Sequence, residues 1–186
     1  MNDLSELTAL LSARRPLAVA PTSTDGAPPP IRVRRGPAPA DRLVDGDTEG
    51  TVEEHRAAHA SGRPSEATVL YGLGHSDERI AARLRDLAQL AEQTGLLRAV
   101  TLVPSTGDGE RPGSWGVEDL TVIGVARSVL PQTVIVRPDW RLLGAQACQV
   151  AIAFGADGWA VPDDEPRALE QLAAAIGRTI VDEDRG

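Results

Sequence analysis

The sequence predicts an α/β protein in which parallel strands alternate with helices, as in a partial (β/α) barrel. From about residue 51, apolar runs of four to six residues alternate with helical patterns. The runs are continuously apolar rather than alternating, as expected for parallel strands that are covered on both faces. The 186 residues are enough for one domain with a buried core.

Four consecutive βα units are expected after a first helix at 51–60. Ser76 or Asp77 can cap the helix that follows the first strand, and Gly95 can end it. The segment from Asp163 to Pro166 is suited to open the last helix. The units place strands at 67–71, 99–103, 133–137 and 158–161, and helices at 77–93, 117–129, 141–153 and 166–178.

The first 50 residues are expected to be a largely irregular segment, and residues 51–186 the βα-repeat domain. Seven of the 14 prolines fall within the first 40 residues. A short helix is expected at 3–13, with short extended pieces at 17–20 and 31–34. Three arginines in and beside the second piece suit either an acidic or phosphate-bearing partner or a charged edge strand that resists aggregation. They are Arg32, Arg34 and Arg35.

Charge and hydropathy exclude several classes of protein. The net charge is −8 and the basic residues are all arginine, so no basic stripe is available for a nucleic-acid backbone. No apolar run approaches the roughly 20 residues of a membrane span. The N-terminus has its acidic residues first and its arginines last, unlike a signal peptide. We therefore expect a cytoplasmic protein with no nucleic-acid or membrane partner.

Cysteine and histidine give little support for a metal site. Cys148 is the single cysteine, so the sequence predicts neither an internal disulfide nor a site built from several thiolates. His55 and His59 stand four residues apart on a predicted helix, which is metal-ligand spacing. A third ligand is missing, and a solvated helix face is the favoured interpretation. We expect no metal.

In a parallel sheet with helical connections, the functional residues lie at the carboxyl ends of the strands and in the loops that follow them. His75 stands at such a turn, and Trp140 suits either stacking on a planar ligand or capping the core. No pattern identifies catalytic residues. The residues predicted to bind a ligand lie at or just beyond strand ends: Tyr71, His75, Ser105, Arg137, Asp139, Trp140 and Asp157.

Several segments together resemble a known family. They are EHRAAHASG at 54–62, ATVLYG at 67–72, HSDERIAARLRDLAQLAEQTG at 75–95, GVEDLTVIGVARSVL at 116–130 and WRLLGAQACQVAIAFGAD at 140–157. Their order resembles the C-terminal half of the radical-SAM enzymes of menaquinone and deazaflavin biosynthesis, namely aminofutalosine synthase, dehypoxanthine futalosine cyclase and the FO synthase subunit. The resemblance covers about residues 54–165 and implies the later βα units of a radical-SAM partial barrel.

The sequence departs from that family mainly in the loops. The family holds a [4Fe–4S] cluster and S-adenosylmethionine through a CxxxCxxC loop, which is absent here, so no cofactor is expected. Leu73 and His75 stand where the family has a His and a Glu. The loop of the form PxxFxPxxT becomes PSTGDGERPGSWG, and the acidic stretch after FGAD becomes GWAVPDDE. A kept scaffold with altered loops predicts a non-catalytic or repurposed relative.

The sequence is compatible with three functions. The first is an accessory or small-ligand-binding protein of menaquinone or deazaflavin biosynthesis, a pathway that the resemblance implies. The second is an interaction module whose open sheet edges pair with a second copy or with a radical-SAM subunit. The third is a cluster-free enzyme that uses His75, Asp139 and Asp157.

Overall fold

The protein is an α/β structure whose described strand pairs are all parallel. The computed structural model describes residues 3–18, 28–36, 50–105, 116–163 and 168–183. The strands are β1 (Ile31–Arg35), β2 (Ser65–Gly72), β3 (Leu97–Ser105), β4 (Ile135–Pro138), β5 (Gly158–Val161) and β6 (Ile180–Asp182). The helices are α1 (Leu4–Ser12), α2 (Val52–Ala60), α3 (Asp77–Thr94), α4 (Gly116–Val129), α5 (Trp140–Leu143), α6 (Ala145–Ala151) and α7 (Ala168–Ala175), with a 3-10 turn at Ile152–Phe154.

The strands form two three-stranded sheets that meet between β4 and β5. One sheet has the order β2-β3-β4 and the other the order β5-β1-β6. A bridge between Asp139 and Ala160 joins them. The strands therefore follow one another as β2-β3-β4-β5-β1-β6. This arrangement confirms the α/β fold class with parallel strands and flanking helices.

β1 lies between two other strands. Val33 pairs with both Trp159 of β5 and Asp182 of β6. The segment was expected to be extended at 31–34, and it is, but the edge-strand interpretation of its arginines is wrong. A strand with a neighbour on each side has no free edge to protect.

One face of the strands packs against the helices and forms the core. We call this the outer face; it includes Val69, Leu102, Val136 and Trp159, each fully buried. Helix α3 covers part of this face with an apolar stripe whose members are spaced by three or four residues. The buried stripe includes Ile80, Leu84, Leu87 and Leu90.

The ends of α2 and α3 follow their local sequence. Thr51 and Glu54 form a capping box before α2, in which each side chain accepts a hydrogen bond from the other's backbone N–H. Ser76 accepts from the N–H of Arg79 at the start of α3. Gly95 ends α3 in the left-handed region, at φ 65°. The expectations for Ser76 and Gly95 are confirmed.

The predicted helix at 141–153 is wrong as a continuous element. Gly144 has φ 81° and ψ 161°, a conformation open to glycine and not to a helix, so α5 and α6 are separate. The strand β6 was not expected at all. Residues 19–20 of one predicted extended piece and 164–167 at the start of the last predicted helix lie outside the described residues. Among the helices that are described, none is both long and apolar enough to cross a membrane.

Candidate functional site

The strand face opposite the helices, which we call the inner face, is polar. Residues of neighbouring strands that pair in register point to the same side of a parallel sheet. Thr68 of β2 pairs with Thr101 of β3, which in turn pairs with Arg137 of β4. Glu66 precedes Thr68 by two residues and therefore lies on the same face. Arg34 also lies on this face, because it pairs with Ala160, and Ala160 pairs with Asp139, two residues after Arg137.

A network of charges crosses the inner face. Arg137 is fully buried; its Nη1 donates to Glu183 Oε2 at 2.7 Å, and its Nη2 lies 3.2 Å from Glu66 Oε2. Arg34 Nε lies 4.0 Å from the same Glu66 oxygen. The two carboxylates compensate the buried guanidinium of Arg137, which would otherwise be costly to bury. They connect β4 with β2 and with the residue that follows β6.

A cavity of about 410 Å³ adjoins this network at the amino ends of β2 and β3. Such a volume is in the range of small-molecule sites. The Oγ1 atom of Thr68 is buried and has no hydrogen-bond partner among the described residues. The cavity is lined by Arg34, Ala58, Arg63, Pro64, Ser65, Glu66, Ala67, Thr68, Arg98 and Thr101.

Of the seven residues predicted to bind a ligand, Arg137 lies within the inner-face network. Asp139 follows β4 directly and is 2% exposed. Its side chain accepts from the N–H of Arg141 at 2.8 Å and so caps α5. Burial raises the pKa of Asp139, while that hydrogen bond and the Arg141 charge oppose the rise.

Two further predicted residues lie at the carboxyl ends of β2 and β3 and are half-buried. Ser105 is the last residue of β3 and pairs with Gly72. His75 stands in the turn between β2 and α3, where its Nδ1 contacts Nη1 of Arg79. A ligand role for these two residues stays a prediction.

Tyr71 and Trp140 make contacts typical of core residues. The Tyr71 hydroxyl donates to Asp119 Oδ1 at 2.7 Å. Burial raises the pKa of Tyr71, and the Asp119 charge adds to the effect. Trp140 packs against Trp159 with ring centroids 5.3 Å apart and planes tilted by 56°. The structure thus places Trp140 where the core-capping interpretation expects it.

Asp157 lies at the amino end of β5, opposite the end where Asp139 and Ser105 lie. Its Oδ2 accepts from Arg127 Nη1 at 2.7 Å and from the N–H of Val136 at 2.9 Å. A second cavity, of about 370 Å³, adjoins both Arg127 and Asp157. The pair connects α4 with the start of β4 and β5.

His55 and His59 lie on one face of α2, but that face is buried rather than solvated. They are 3% and 5% exposed, so the solvated-face interpretation is wrong. His55 Nδ1 and His59 Nε2 each lie 2.8 Å from Ser65 Oγ, and His59 Nδ1 lies 2.8 Å from Thr94 Oγ1.

The direction of these hydrogen bonds follows from Thr94. Its hydroxyl donates to the Leu90 carbonyl at 2.8 Å, so it accepts from His59 Nδ1. His59 Nε2 then accepts from the Ser65 hydroxyl, and Ser65 accepts from His55 Nδ1. His59 is neutral in this arrangement, because one of its ring nitrogens donates and the other accepts. Burial lowers the pKa of both histidines, that of His55 to about 4.

The residues present do not fit an iron–sulfur cluster. Such a cluster needs several thiolates, and the 186 residues contain one cysteine. Cys148 is buried in α6, and burial raises the pKa of its thiol well above the ordinary value. Within the described ranges, no group of three or more His, Cys, Asp or Glu side chains is arranged to hold a metal ion.

Parallel βα units, a helix-covered outer face and a polar inner face define the chain as a protein of partial-barrel type. The chain is distantly similar to radical-SAM enzymes of the futalosine and deazaflavin pathways, which confirms the resemblance. It is 28% identical over 131 residues to aminodeoxyfutalosine synthase from Thermus thermophilus, covering 66% of this chain and 34% of the relative. No protein-family model matches the chain.

Two archaeal relatives share another name, 5-amino-6-(D-ribitylamino)uracil--L-tyrosine 4-hydroxyphenyl transferase. The one from Archaeoglobus fulgidus is 28% identical over 57% of this chain and 33% of its own length. The one from Methanoculleus marisnigri is 31% identical over 60% of this chain and 32% of its own length. In each case the matched region spans about a third of the relative.

The prediction from sequence missed most of the inner-face residues. Glu66 and Thr68 stand in a strand that otherwise reads as apolar, SEATVLYG. Their spacing of two puts them on one face, so this signal was present. Arg34 shows the same alternation in IRVRR, but its neighbours in the sheet come from far along the chain. Glu183 follows a strand that was not expected.

Proposed function

We propose that this chain binds a small polar molecule on its inner face, as a repurposed relative of radical-SAM enzymes that works without an iron–sulfur cluster. One observation carries the proposal: the inner face holds a charged network beside a cavity of about 410 Å³. The interior of a (β/α) barrel that serves only as a core is filled by branched apolar side chains. Glu66, Thr68, Thr101 and Arg137 occupy those positions here.

The proposed lack of radical chemistry rests on the chemistry of the thiol. A cluster needs thiolates to hold its iron, and Cys148 is a single, buried thiol whose raised pKa keeps it protonated. The role is therefore accessory: the chain holds a metabolite and does not perform radical chemistry on it. The link to menaquinone or deazaflavin biosynthesis rests on the similar proteins.

Isothermal titration calorimetry tests ligand binding directly. The names of the relatives supply two probes, aminodeoxyfutalosine and 5-amino-6-(D-ribitylamino)uracil. We expect at least one of them to bind with one molecule per chain to protein prepared without iron. The variant Thr68→Val should weaken binding severalfold, whereas Ser128→Ala on the exposed side of α4 should leave it unchanged. Absence of binding by both probes would contradict the proposal.

A second experiment tests the cluster-free part. After anaerobic incubation with iron and sulfide, we expect no stoichiometric [4Fe–4S] absorbance. The variant Cys148→Ala should behave like the wild type, because that thiol is buried and protonated. A stoichiometric cluster in the wild type would overturn this part of the proposal and leave ligand binding to be judged by calorimetry.

The strand edges favour a second candidate function, an interaction module. Among the described residues, β2 pairs only with β3, and β6 pairs only with β1. An edge strand is a template for pairing with another chain. In this candidate the barrel is completed by a second copy or by a radical-SAM subunit. Light scattering on the purified chain should then show a dimer, and a strict monomer with no co-purifying partner would remove the candidate.

A further inference from the structure

The cavity at the amino ends of β2 and β3 has a strong charge bias. Three guanidinium groups line it, those of Arg34, Arg63 and Arg98, against the single carboxylate of Glu66 among its described lining residues. We infer that this cavity binds the oxyanion group, phosphate or carboxylate, of a small ligand. The inference rests on the proposed function and adds the chemical class of the ligand and the place of its charged group.

The carboxylate in the cavity wall is already engaged by arginine. Glu66 Oε2 lies 3.2 Å from Arg137 Nη2 and 4.0 Å from Arg34 Nε. Its charge is thus largely compensated within the protein, and Arg63 and Arg98 leave the cavity with a positive excess. This excess stands out because the whole chain carries a net charge of −8, which otherwise disfavours anions.

The polar groups of the cavity differ in how deeply they are buried. Arg63 and Arg98 are exposed, so they lie at the mouth, where long guanidinium side chains can reach an entering anion. Thr68 is fully buried. Guanidinium groups present several N–H donors in a planar fork, the geometry that phosphate and carboxylate oxygens accept.

The buried hydroxyl of Thr68 is a second observation, independent of the arginines, that points to an anion in the cavity. Thr68 Oγ1 has no hydrogen-bond partner in the described part of the chain, so its proton is available to an acceptor. Ser65 lines the same cavity but cannot serve in this way, because its hydroxyl donates to His59 Nε2. Thr68 is therefore a buried hydroxyl donor that the wall offers to an oxyanion, next to the hydroxyl of Thr101, which also lines the cavity.

Titration with simple anions at constant ionic strength tests the inference. The probes are inorganic phosphate and acetate, with chloride as the reference anion, followed by amide chemical shifts. We expect phosphate or acetate to shift Thr68 and its neighbours in a saturable way, and the probe that binds identifies the class of oxyanion. The double variant R63Q/R98Q should weaken that binding at least tenfold.

Matched variants separate a site from general charge effects. R15Q/R85Q removes the same number of charges from positions outside the cavity lining, and it should leave binding unchanged. T68V should weaken binding severalfold without lowering the midpoint of urea unfolding, since the Thr68 hydroxyl makes no hydrogen bond to the described residues that the fold would lose. Equal weakening by both double variants would overturn the inference, as would no effect of R63Q/R98Q.

The outcome is distinguishable from a failure of the proposed function. If neither anion binds the wild type while the uncharged 5-amino-6-(D-ribitylamino)uracil does, the inner face takes a ligand but this cavity is not an oxyanion site. If an anion binds and both metabolite probes fail, the cavity is an oxyanion site but the proposed function is contradicted.

Discussion

At the level of single residues, Gly158 lies where β5 passes close to the backbone of β1. A Cβ atom at this position would collide with the backbone carbonyl oxygen of Arg32 in β1. Backbone cannot move aside as a flexible side chain can, so we expect Gly158→Ala to lower the free energy of unfolding by about 2 kcal/mol. Gly116→Ala is the matched control, because nothing lies within 4 Å of the position that a Cβ atom would take there. Urea unfolding of both variants measures the difference, and equal effects would contradict the register of β1 against β5.

The buried histidines predict a pH dependence of stability. The pKa of His55 is lowered by burial to about 4, against 6.5 in an unfolded chain, with Arg83 and His59 adding to the effect. The native state excludes a proton that the unfolded state binds. The contribution of His55 to the free energy of unfolding is therefore complete above pH 6.5. It decreases as the pH falls towards 4, and the total loss is up to about 3 kcal/mol.

Urea unfolding as a function of pH checks this prediction. In the variant His55→Gln the slope between pH 6.5 and 4 should be smaller than in the wild type. Part of the slope should remain, because burial lowers the pKa of His59 as well. A wild-type slope identical to that of the variant would mean that His55 is not held neutral.

Among the helices and strands, the end of α4 is fixed by one arginine. Arg127 is buried and donates to the carbonyls of Leu130, Pro131 and Val134 and to Asp157. These three carbonyls lie in the segment that follows α4, and buried backbone carbonyls need a hydrogen-bond donor. We expect Arg127→Met to lower the free energy of unfolding by about 3 kcal/mol, mainly through loss of the bonds to the three carbonyls, because the Asp157 side chain is 37% exposed and its charge is partly screened by solvent.

A comparison with Asp157→Asn tests that explanation. This variant keeps the three carbonyl bonds and an acceptor for the N–H of Val136, so its cost in chemical unfolding should be clearly smaller than that of Arg127→Met. If both variants cost the same, the carbonyl bonds contribute little and the ion pair alone holds the end of α4.

Local sequence predicted most elements because their signals are local. The apolar runs mark β2 to β5, and Ser76 and Gly95 mark the ends of α3. The break at Gly144 could not be separated from an ordinary helical glycine, because only its φ of 81° distinguishes the two. The place of β1 between β5 and β6 depends on partners more than 120 residues away in the chain, which periodicity cannot show.

The candidate site, too, could be predicted only in part from the local sequence. Arg137 was predicted because it ends an apolar strand, and the structure places it at the centre of the inner-face network. Its partners Glu66 and Glu183 were missed. They meet Arg137 only after β2, β4 and β6 are assembled, so the network is a property of the tertiary structure.

For the molecule as a whole, the parallel βα units are formed by a chain whose matched region spans about a third of each relative. The outer face and the helices form the core, and we propose that the inner face is left polar to hold a ligand. On this proposal, we expect substitutions of apolar outer-face residues to change mainly stability, and substitutions such as Thr68→Val to change mainly binding.

Ligand binding to the inner face is tested most directly by amide chemical shifts, recorded without added iron. On titration with the metabolite probe that binds, we expect saturable shifts concentrated at Glu66, Thr68, Thr101 and Arg137. Shifts confined to the outer surfaces of the helices, or shifts that require iron and sulfide, would contradict a cluster-free binding site on the inner face.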